Sequence, residues 1–327
     1  MKRMEFGGAV TEATAYNFAR LSAKRQREFL RAYFGKNGLN YDWVRISIGS
    51  NDFCLSSYEY TKRKDLRDFS IERDREYIIP MLKKILEYKD VKVIASPWSP
   101  PSFMKTNGQL VGGKLKRNHY KIYAQYIRKW LKAYAEEGIK VGYITPQNEP
   151  EAEQRWESCV YNYRQLKRLI YKHLVPALRG FDTKILIWDH NKEKLSEVAH
   201  VLLDGISRDK IAGIAFHWYK GIHEREMRTV RRDFPELMMV ASEMCCGFSP
   251  YDKREWQKDA ELYIRELQAD KECGVDVWID WNMLLDWEGG PTHVGNNVKS
   301  PVILNERGDD FILTPIYDAL LGFVKEK

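Results

Sequence analysis

One stretch joins a short apolar run to an abrupt polar end: Val141-Gly142-Tyr143-Ile144-Thr145-Pro146-Gln147-Asn148-Glu149-Pro150. A second stretch of the same form is Leu237-Met238-Met239-Val240-Ala241-Ser242-Glu243. Buried parallel strands appear in sequence as near-continuous apolar runs, and barrel enzymes carry their reactive groups where such strands end. Both stretches therefore predict buried strands that deliver a glutamate to the same end of a parallel barrel.

Eight such runs alternate with amphipathic stretches along the 327 residues. The predicted strands are Met4–Val10, Trp43–Gly49, Val91–Pro97, Val141–Gln147, Lys184–Asp189, Ile211–Trp218, Leu237–Glu243 and Val275–Trp281. The clearest predicted helices are His119–Glu137, Tyr163–Arg179, Lys192–Leu203, Arg254–Lys271 and Pro315–Lys325. This alternation predicts an α/β fold, the (β/α)8 TIM barrel. An open doubly wound sheet is the rival, but no strand is followed by a glycine-rich phosphate turn, so the barrel is favoured.

Three long segments follow predicted strands and are expected to shape a cleft, because barrel active sites are built from the loops after the strands. They are Ser50–Ser70, Trp98–Asn118 and Asn282–Leu313. Several of the ten tryptophans lie at strand ends. Core packing explains any one of them, whereas a group of them at one rim favours a platform for a sugar ring.

Composition excludes several classes of protein. The net charge of +7 comes from 53 basic and 46 acidic residues that are interspersed, so no nucleic-acid patch is indicated. There is no apolar stretch of about 18 residues, which predicts no transmembrane segment. The five cysteines are odd in number and lack metal-ligand spacing, which favours reduced thiols and neither a metal nor another cofactor. Met1-Lys2-Arg3 leads directly into the first strand without a signal peptide, so we expect a cytoplasmic protein, or a secreted one if the sequence is a piece of a longer chain.

The two glutamates are placed to act together. Glu149 ends the fourth predicted strand and Glu243 ends the seventh, and these strands face each other across the mouth of a closed barrel. Carboxylates about 5–5.5 Å apart hydrolyse a glycosidic bond with retention, one as acid and base and the other as nucleophile. We assign Glu149 as the acid/base and Glu243 as the nucleophile, although either alone could be a structural ion-pair partner.

Two further residues support this assignment. Arg45 lies in the second strand, within Val44-Arg45-Ile46-Ser47, and is a buried cation that could keep Glu243 ionised. Asn148 directly precedes Glu149 and would donate a hydrogen bond to the sugar 2-hydroxyl, where such bonds strengthen in the transition state.

The motifs together resemble glycoside hydrolase family 30, and within it the glucosylceramidase branch, in its bacterial form. The resemblance runs in order over almost the whole chain and rests on Phe6-Gly7-Gly8-Ala9, Ala95-Ser96-Pro97-Trp98-Ser99-Pro100-Pro101, Met104-Lys105-Thr106-Asn107-Gly108, Asn148-Glu149-Pro150, His217-Trp218-Tyr219, Ala241-Ser242-Glu243 and Asp280-Trp281-Asn282. It implies a retaining mechanism with the same two glutamates. The substrate-binding residues that it implies are Asp52, Trp98, Asn148, His217, Tyr219, Trp281 and Asn296.

One departure from the family concerns domains. Family members carry a β-sandwich built from segments before and after the barrel, whereas this chain opens at its first strand and ends just past its eighth helix. We therefore expect residues 1–327 to form a single catalytic barrel domain without the sandwich. Apolar surface that the sandwich would cover is expected to lower stability or to favour self-association.

The sequence thus predicts a retaining β-glycosidase that hydrolyses β-glucosides, with a carbohydrate or glycolipid as substrate and no cofactor or metal. Within the same family, an endo-β-1,6-glucanase or a β-xylosidase remains an alternative. A non-catalytic carbohydrate-binding barrel is the alternative of another class, because a displacement of about 1 Å can cost ~10²-fold in rate.

Overall fold

Eight parallel strands pair in chain order and close into a barrel, with the first strand hydrogen-bonded to the eighth. The protein is described from a computed structural model that covers residues 3–204 and 208–326. The strands are β1 Glu5–Ala9, β2 Trp43–Ile48, β3 Lys92–Pro97, β4 Val141–Ile144, β5 Lys184–Asn191, β6 Ile211–His217, β7 Met238–Glu243 and β8 Val277–Asp280. The predicted (β/α)8 barrel is confirmed, and closure between β1 and β8 excludes an open sheet.

Helices cover the outside of the barrel. They are α1 Glu12–Arg20, α2 Ala23–Phe34, α3 Glu72–Glu76, α4 Ile78–Tyr88, α5 Tyr120–Glu136, α6 Tyr163–Leu169, α7 Val175–Ala177, α8 Leu195–Leu203, α9 Glu224–Asp233, α10 Lys253–Glu272 and α11 Pro315–Lys325. A short antiparallel pair, β9 Val302–Leu304 and β10 Phe311–Leu313, lies in the segment after β8. Among the helices of the described residues, none has the length and apolar character needed to cross a membrane.

Helix α5 shows how the apolar stripe fixes a helix against the sheet. Tyr126, Trp130 and Tyr134 are buried as the four-residue spacing predicts, whereas Ile122 is only half-buried. The helix ends at Glu136, and Gly138 follows with a φ of +81°, the left-handed conformation that glycine adopts without penalty.

The predicted helix Tyr163–Arg179 is not continuous. A π-helical turn at Ile170–Leu174 separates α6 from α7. Pro176 explains the interruption, because proline has no N–H to donate and its ring would clash with the carbonyl four residues earlier.

Two of the irregularities in strand register lie at the end of the barrel where the predicted site lies. The pairing of β5 with β6 shifts between Trp188 and His190, and that of β6 with β7 shifts between Phe216 and His217. Trp188 and Asp189 both have positive φ, 76° and 75°. Bulges of this kind redirect side chains and are common beside active sites. Here they extend β5 two residues beyond its predicted end, to Asn191.

Candidate active site

A cavity of about 570 Å³ opens at the carboxyl-terminal mouth of the barrel. It is lined by eight of the ten residues that the sequence predicts for the site, Asp52, Trp98, Asn148, Glu149, Tyr219, Glu243, Trp281 and Asn296. The other two, Arg45 and His217, are fully buried and contact the lining residues from below. A larger cavity of about 980 Å³ contains none of the ten. It is lined by Met4 and Val275, which precede β1 and β8, and so lies at the opposite end of the barrel.

Glu243 is the last residue of β7 and is held at both carboxylate oxygens. Arg45 Nη1 donates to Oε2 at 2.6 Å, and the Tyr219 hydroxyl donates to Oε1 at 2.9 Å. The same hydroxyl lies 3.3 Å from Cys245 Sγ. A charged donor on one oxygen and a phenol on the other fix the orientation of this carboxylate.

Glu149 follows β4 in the left-handed conformation, with a φ of +47°. Its backbone N–H donates to the Asp189 carbonyl at 2.9 Å, which joins the ends of β4 and β5. Gln154 Nε2 donates to Glu149 Oε2 at 3.0 Å. The other oxygen, Oε1, faces two imidazole nitrogens, His217 Nδ1 at 3.5 Å and His190 Nδ1 at 3.7 Å.

His217 joins the two glutamates. Its Nδ1 lies 3.5 Å from Glu149 Oε1 and 3.7 Å from Glu243 Oε1. Because both oxygens lie so close to one nitrogen, they are at most about 7 Å apart, a range that includes the ~5–5.5 Å of retaining glycosidases and reaches only the lower limit of the ~6.5–9.5 Å of inverting ones. The structure therefore brings the two predicted carboxylates to one point of the cavity.

The charges of this cluster determine where its proton lies. Burial alone would lower the pKa of His217, but Glu243, Asp189 and Glu149 outweigh it and raise that pKa to about 10. Burial alone would raise the pKa of Glu149, but the attraction of the His190 and His217 rings holds that pKa below its usual range. In the ligand-free site the proton therefore resides on His217, next to the carboxylate that would use it as an acid.

Asp189 is the centre of the buried network beneath the site. Its Oδ2 accepts hydrogen bonds from Arg45 Nη2 at 3.0 Å, Thr145 Oγ1 at 2.7 Å and Ser96 Oγ at 2.8 Å. Its Oδ1 accepts from Ser242 Oγ at 2.6 Å and faces His217 Nε2 at 3.2 Å. Burial would raise the pKa of Asp189, but the Arg45 guanidinium outweighs it and holds the pKa well below its usual range.

Arg45 extends the network to the amide of the site. Its Nη2 donates to Asn148 Oδ1 at 2.8 Å, so the Asn148 side-chain oxygen is occupied and its NH₂ group remains to meet a ligand. The Arg45 guanidinium also lies 4.9 Å from the ring centroid of Trp98 and 5.6 Å from that of Trp281.

Two tryptophans and an acidic residue form the remaining side of the cavity. The Trp98 and Trp281 rings form a stacked pair, with centroids 5.4 Å apart and planes 19° apart. Asp52 Oδ2 accepts a hydrogen bond from Asn296 Nδ2 at 2.7 Å. Burial raises the pKa of Asp52 to about 8, although the bond from Asn296 opposes this.

Three residues at the site were missed by the sequence reasoning: Asp189, His190 and Gln154. Asp189 ends the fifth predicted strand, so the rule that selected the two glutamates would also have selected it. His190 reaches Glu149 only because β5 lies beside β4 in the barrel. Gln154 lies five residues after Glu149, in a loop that no local pattern predicts.

Comparison with known proteins supports the family resemblance that the sequence motifs indicate. Residues 4–326 match the family described as "Glycosyl hydrolase family 30 TIM-barrel domain". The chain is 33% identical to lysosomal acid glucosylceramidase of Mus musculus and 32% identical to putative glucosylceramidase 4 of Caenorhabditis elegans, in each case over 98% of this chain and 67% of the relative. It thus spans about two thirds of the length of these relatives.

Solved structures show the same similarity. SrfJ from Salmonella typhimurium superposes with a TM-score of 0.95 at 32% identity, over 100% of this chain and 75% of that one. The endo-β1,6-glucanase BT3312 superposes with a TM-score of 0.89 at 28% identity, over 99% of this chain and 75% of that one.

Proposed function

We propose, on the premise that the chain belongs to glycoside hydrolase family 30, that it is a retaining β-glucosidase of the glucosylceramidase type. One observation carries the proposal: Glu149 and Glu243, delivered by β4 and β7, both face the Nδ1 atom of His217, at 3.5 and 3.7 Å. Two carboxylates at such close range suit direct attack on the sugar and a glycosyl-enzyme intermediate.

Glu243 is the proposed nucleophile. Its ion pair with Arg45 holds one carboxylate oxygen, and the Tyr219 hydroxyl orients the other. Attack by Oε1 on the anomeric carbon forms the ester bond to the enzyme while the bond to the leaving oxygen breaks.

Glu149 is the proposed acid and base. It needs a proton for the first step, and His217 holds one at 3.5 Å from Oε1. Attack by Glu243 removes a negative charge beside His217, which weakens the hold of His217 on its proton and favours transfer to Glu149 as the aglycone leaves. Glu149 then accepts a proton from the water that hydrolyses the ester.

The remaining residues of the cavity are proposed to bind the sugar. Asn148 offers its NH₂ group to the 2-hydroxyl, where hydrogen bonds strengthen in the transition state. The stacked pair of Trp98 and Trp281 offers an aromatic surface to the ring face. Asp52 and Asn296 form a polar pair for hydroxyl groups farther from the reacting carbon.

The first experiment labels the nucleophile. The protein is incubated with 2-deoxy-2-fluoro-β-glucosyl fluoride, its intact mass is measured and the labelled peptide is mapped. We expect one adduct, on Glu243, and none in Glu243→Gln. Glu266→Gln is the matched control, because Glu266 is a buried glutamate that pairs with Lys192 outside the cavity and should leave the labelling of Glu243 intact. An adduct on another residue of folded protein would overturn the assignment.

The second experiment tests the acid. Glu149→Gln should slow hydrolysis of substrates with poor leaving groups far more than of activated aryl β-glucosides, which need little proton donation. The measurement is kcat/KM for a series of aryl β-glucosides of increasing leaving-group pKa. An equal loss across the series would contradict the acid role, and binding without turnover by the wild type would indicate a carbohydrate-binding barrel instead.

The aglycone is proposed to be a lipid, because two relatives carry the name glucosylceramidase. Hydrolysis of glucosylceramide in detergent micelles is compared with hydrolysis of a soluble aryl β-glucoside. Comparable kcat/KM values support a glycolipid substrate, whereas turnover of the aryl glucoside alone contradicts it.

An endo-β-1,6-glucanase is the second candidate, supported by the match to BT3312. Digestion of a β-1,6-glucan distinguishes the two functions by product length. Glucose as the only early product supports an exo-acting enzyme, and a ladder of oligosaccharides supports an endo-acting one.

A further inference from the structure

We propose that Glu149, His190 and His217 form a binding site for a divalent transition-metal ion of the Zn²⁺ class, and that the bound ion blocks the active site. One ligand atom of each residue lies within 4.8 Å of the ligand atoms of the other two, and Nδ1 of both histidines faces Glu149 Oε1. Binding of the metal is independent of the proposed function, whereas inhibition by the metal rests on it.

The distances fit a shared ion better than they fit hydrogen bonds. The two imidazole nitrogens lie 3.7 and 3.5 Å from Glu149 Oε1, beyond the ~2.7–3.2 Å of an N–H···O hydrogen bond. Zinc holds nitrogen and oxygen ligands at about 2.0–2.2 Å in a tetrahedron, which places neighbouring ligand atoms roughly 3.3–3.5 Å apart. The distances from Glu149 Oε1 to the two nitrogens already match that spacing to within a few tenths of an ångström, and the two imidazoles, whose ligand atoms lie within 4.8 Å of each other, would draw together on binding.

Both imidazole nitrogens are buried without a hydrogen-bond partner. Nδ1 of His190 and Nδ1 of His217 make no hydrogen bond to any described residue, although the two side chains are almost completely buried. Buried polar atoms are normally satisfied, and each exception calls for an explanation. An ion that displaces the proton of His217 and takes a lone pair from each nitrogen would satisfy both atoms at once.

The surrounding residues orient the ligands as in known metal sites. His217 Nε2 faces Asp189 Oδ1 at 3.2 Å, and that oxygen also accepts a hydrogen bond from Ser242 Oγ at 2.6 Å. A carboxylate on the far nitrogen fixes the ring and leaves the near nitrogen to the metal. Gln154 Nε2 holds Glu149 Oε2 at 3.0 Å in the same manner and leaves Oε1 to the metal.

The site is accessible from the cavity and has room for a fourth ligand. Glu149 and His190 line the 570 Å³ cavity, so an ion can enter from solvent. Glu243 Oε1, 3.7 Å from His217 Nδ1, or a water molecule from the cavity would complete four-fold coordination. An ion at this point occupies Glu149 Oε1, the atom that would donate its proton to the leaving oxygen, so metal and substrate should exclude each other.

The ligands lie on three separate segments of the chain. Glu149 follows β4, while His190 and His217 belong to β5 and β6. For this reason the sequence shows no metal-ligand spacing. The expectation of no metal site was based on spacing along the chain and did not consider which strand ends the closed barrel brings together.

Metal binding is tested without substrate. Chelator-treated protein is titrated with Zn²⁺ by isothermal calorimetry and with Co²⁺ by visible absorption. We expect one ion per chain, a tetrahedral cobalt spectrum without a thiolate charge-transfer band, and at least a tenfold loss of affinity in His190→Phe. His200→Asn, which changes a half-exposed histidine on α8, is the matched control and should bind as the wild type does. Circular dichroism confirms that each variant is folded.

Two results would overturn the site: unchanged affinity in His190→Phe, or a thiolate band that disappears in Cys245→Ser, which would place the ion on the cysteine beside Glu243. Inhibition is measured separately with an aryl β-glucoside. Zn²⁺ should raise KM without lowering kcat. If the protein binds the metal but hydrolyses no glycoside, the proposed function fails while the metal site stands; if hydrolysis proceeds and Zn²⁺ does not bind, the metal site alone fails.

Discussion

Replacing Asp189 with asparagine should weaken both the fold and the site, because this one carboxylate organises the network beneath the two glutamates. Its oxygens face five donors, and all five donor residues are buried: Arg45, Ser96, Thr145, His217 and Ser242. Asparagine keeps the shape but turns one oxygen into an NH₂ group, so at least two donors would face another donor. Arg45 also loses a charge partner at 3.0 Å in a fully buried position.

The magnitude follows from burial. Breaking a buried ion pair by removing one partner costs about 3–5 kcal/mol, a large share of the ~5–15 kcal/mol that stabilises a typical domain. We expect Asp189→Asn to reduce the free energy of unfolding by that amount. Because His217 and Arg45 then lose their fixed positions beside the glutamates, we also expect roughly a 10²-fold fall in kcat/KM, the cost of about 1 Å of misplacement.

Urea unfolding and steady-state kinetics with an aryl β-glucoside measure the two effects. The matched control is Asp182→Asn, which removes an equally short ion pair, 2.9 Å from Lys140, on the exposed surface. This control should leave stability and activity unchanged, since exposed pairs contribute little. If Asp189→Asn unfolds at the same urea concentration as the wild type, the network does not stabilise the barrel and the reasoning from burial is wrong.

Three further predictions follow. Tyr219→Phe removes the hydroxyl that donates to Glu243 Oε1. Because a hydrogen bond to a charged group is worth about 1.5–3 kcal/mol, kcat/KM should fall roughly tenfold to a hundredfold. An unchanged kcat/KM would show that Tyr219 takes no part in the mechanism. Lys105→Met should raise the rate of proteolysis within residues 98–118, because the Lys105 ammonium donates to Ser99 Oγ, Leu110 O and Ser158 O and joins two loops. Lys129→Met serves as the control, because it changes an exposed lysine whose ammonium donates to Leu66 O outside that segment. Asp74 accepts hydrogen bonds from Tyr58, Tyr60 and Tyr134, and burial raises its pKa to about 6 against those bonds. A raised pKa means that the folded state holds the Asp74 proton more tightly than the unfolded state does. The stability that this proton contributes to the fold is complete below about pH 4 and is lost as the pH rises through about 6. Between those limits the free energy of unfolding of the wild type should therefore fall by about 3 kcal/mol relative to that of Asp74→Asn, as measured by urea unfolding at each pH. A difference in unfolding free energy that stays constant with pH would contradict the raised pKa.

The strands were predictable because each is buried on both faces. A parallel strand in a barrel contacts helices outside and the barrel core inside, so it appears in the sequence as an apolar run with definite ends. Seven of the eight predicted strands begin within two residues of the observed start and stop at or shortly after the observed end. The exception is β5, which ends at Asn191 and not at Asp189. Its bulge depends on pairing with β6, and no glycine marks the change.

The site was predictable only in part, for a reason that concerns distance along the chain. A carboxylate at a strand end is a local signal, and it selected Glu149 and Glu243. The contact of His190 with Glu149 depends on the closure of the barrel and leaves no trace in local sequence. The resemblance to family 30 supplied Asp52 and Asn296, whose hydrogen bond spans 244 positions. The strand-end signal was also present at Asp189 but was not followed there, and this residue is fully buried and does not line the cavity.

The backbone around the site suggests why these strand ends depend on side-chain contacts. Glu149, Asp189 and Asn282 have positive φ values of 47°, 75° and 63°, a region that costs a non-glycine residue of order 1–3 kcal/mol. Glycine would remove the cost, but it would also remove a carboxylate or amide that the network uses. Each strained residue is held by a bond across the barrel end: the Glu149 N–H donates to Asp189 O at 2.9 Å, and Thr11 Oγ1 donates to Asn282 Oδ1 at 2.6 Å. Because the polar network holds the strained turns and the turns aim the polar groups, loss of the Asp189 carboxylate should disturb the geometry of both glutamates even though no hydrogen bond joins that carboxylate to either of them.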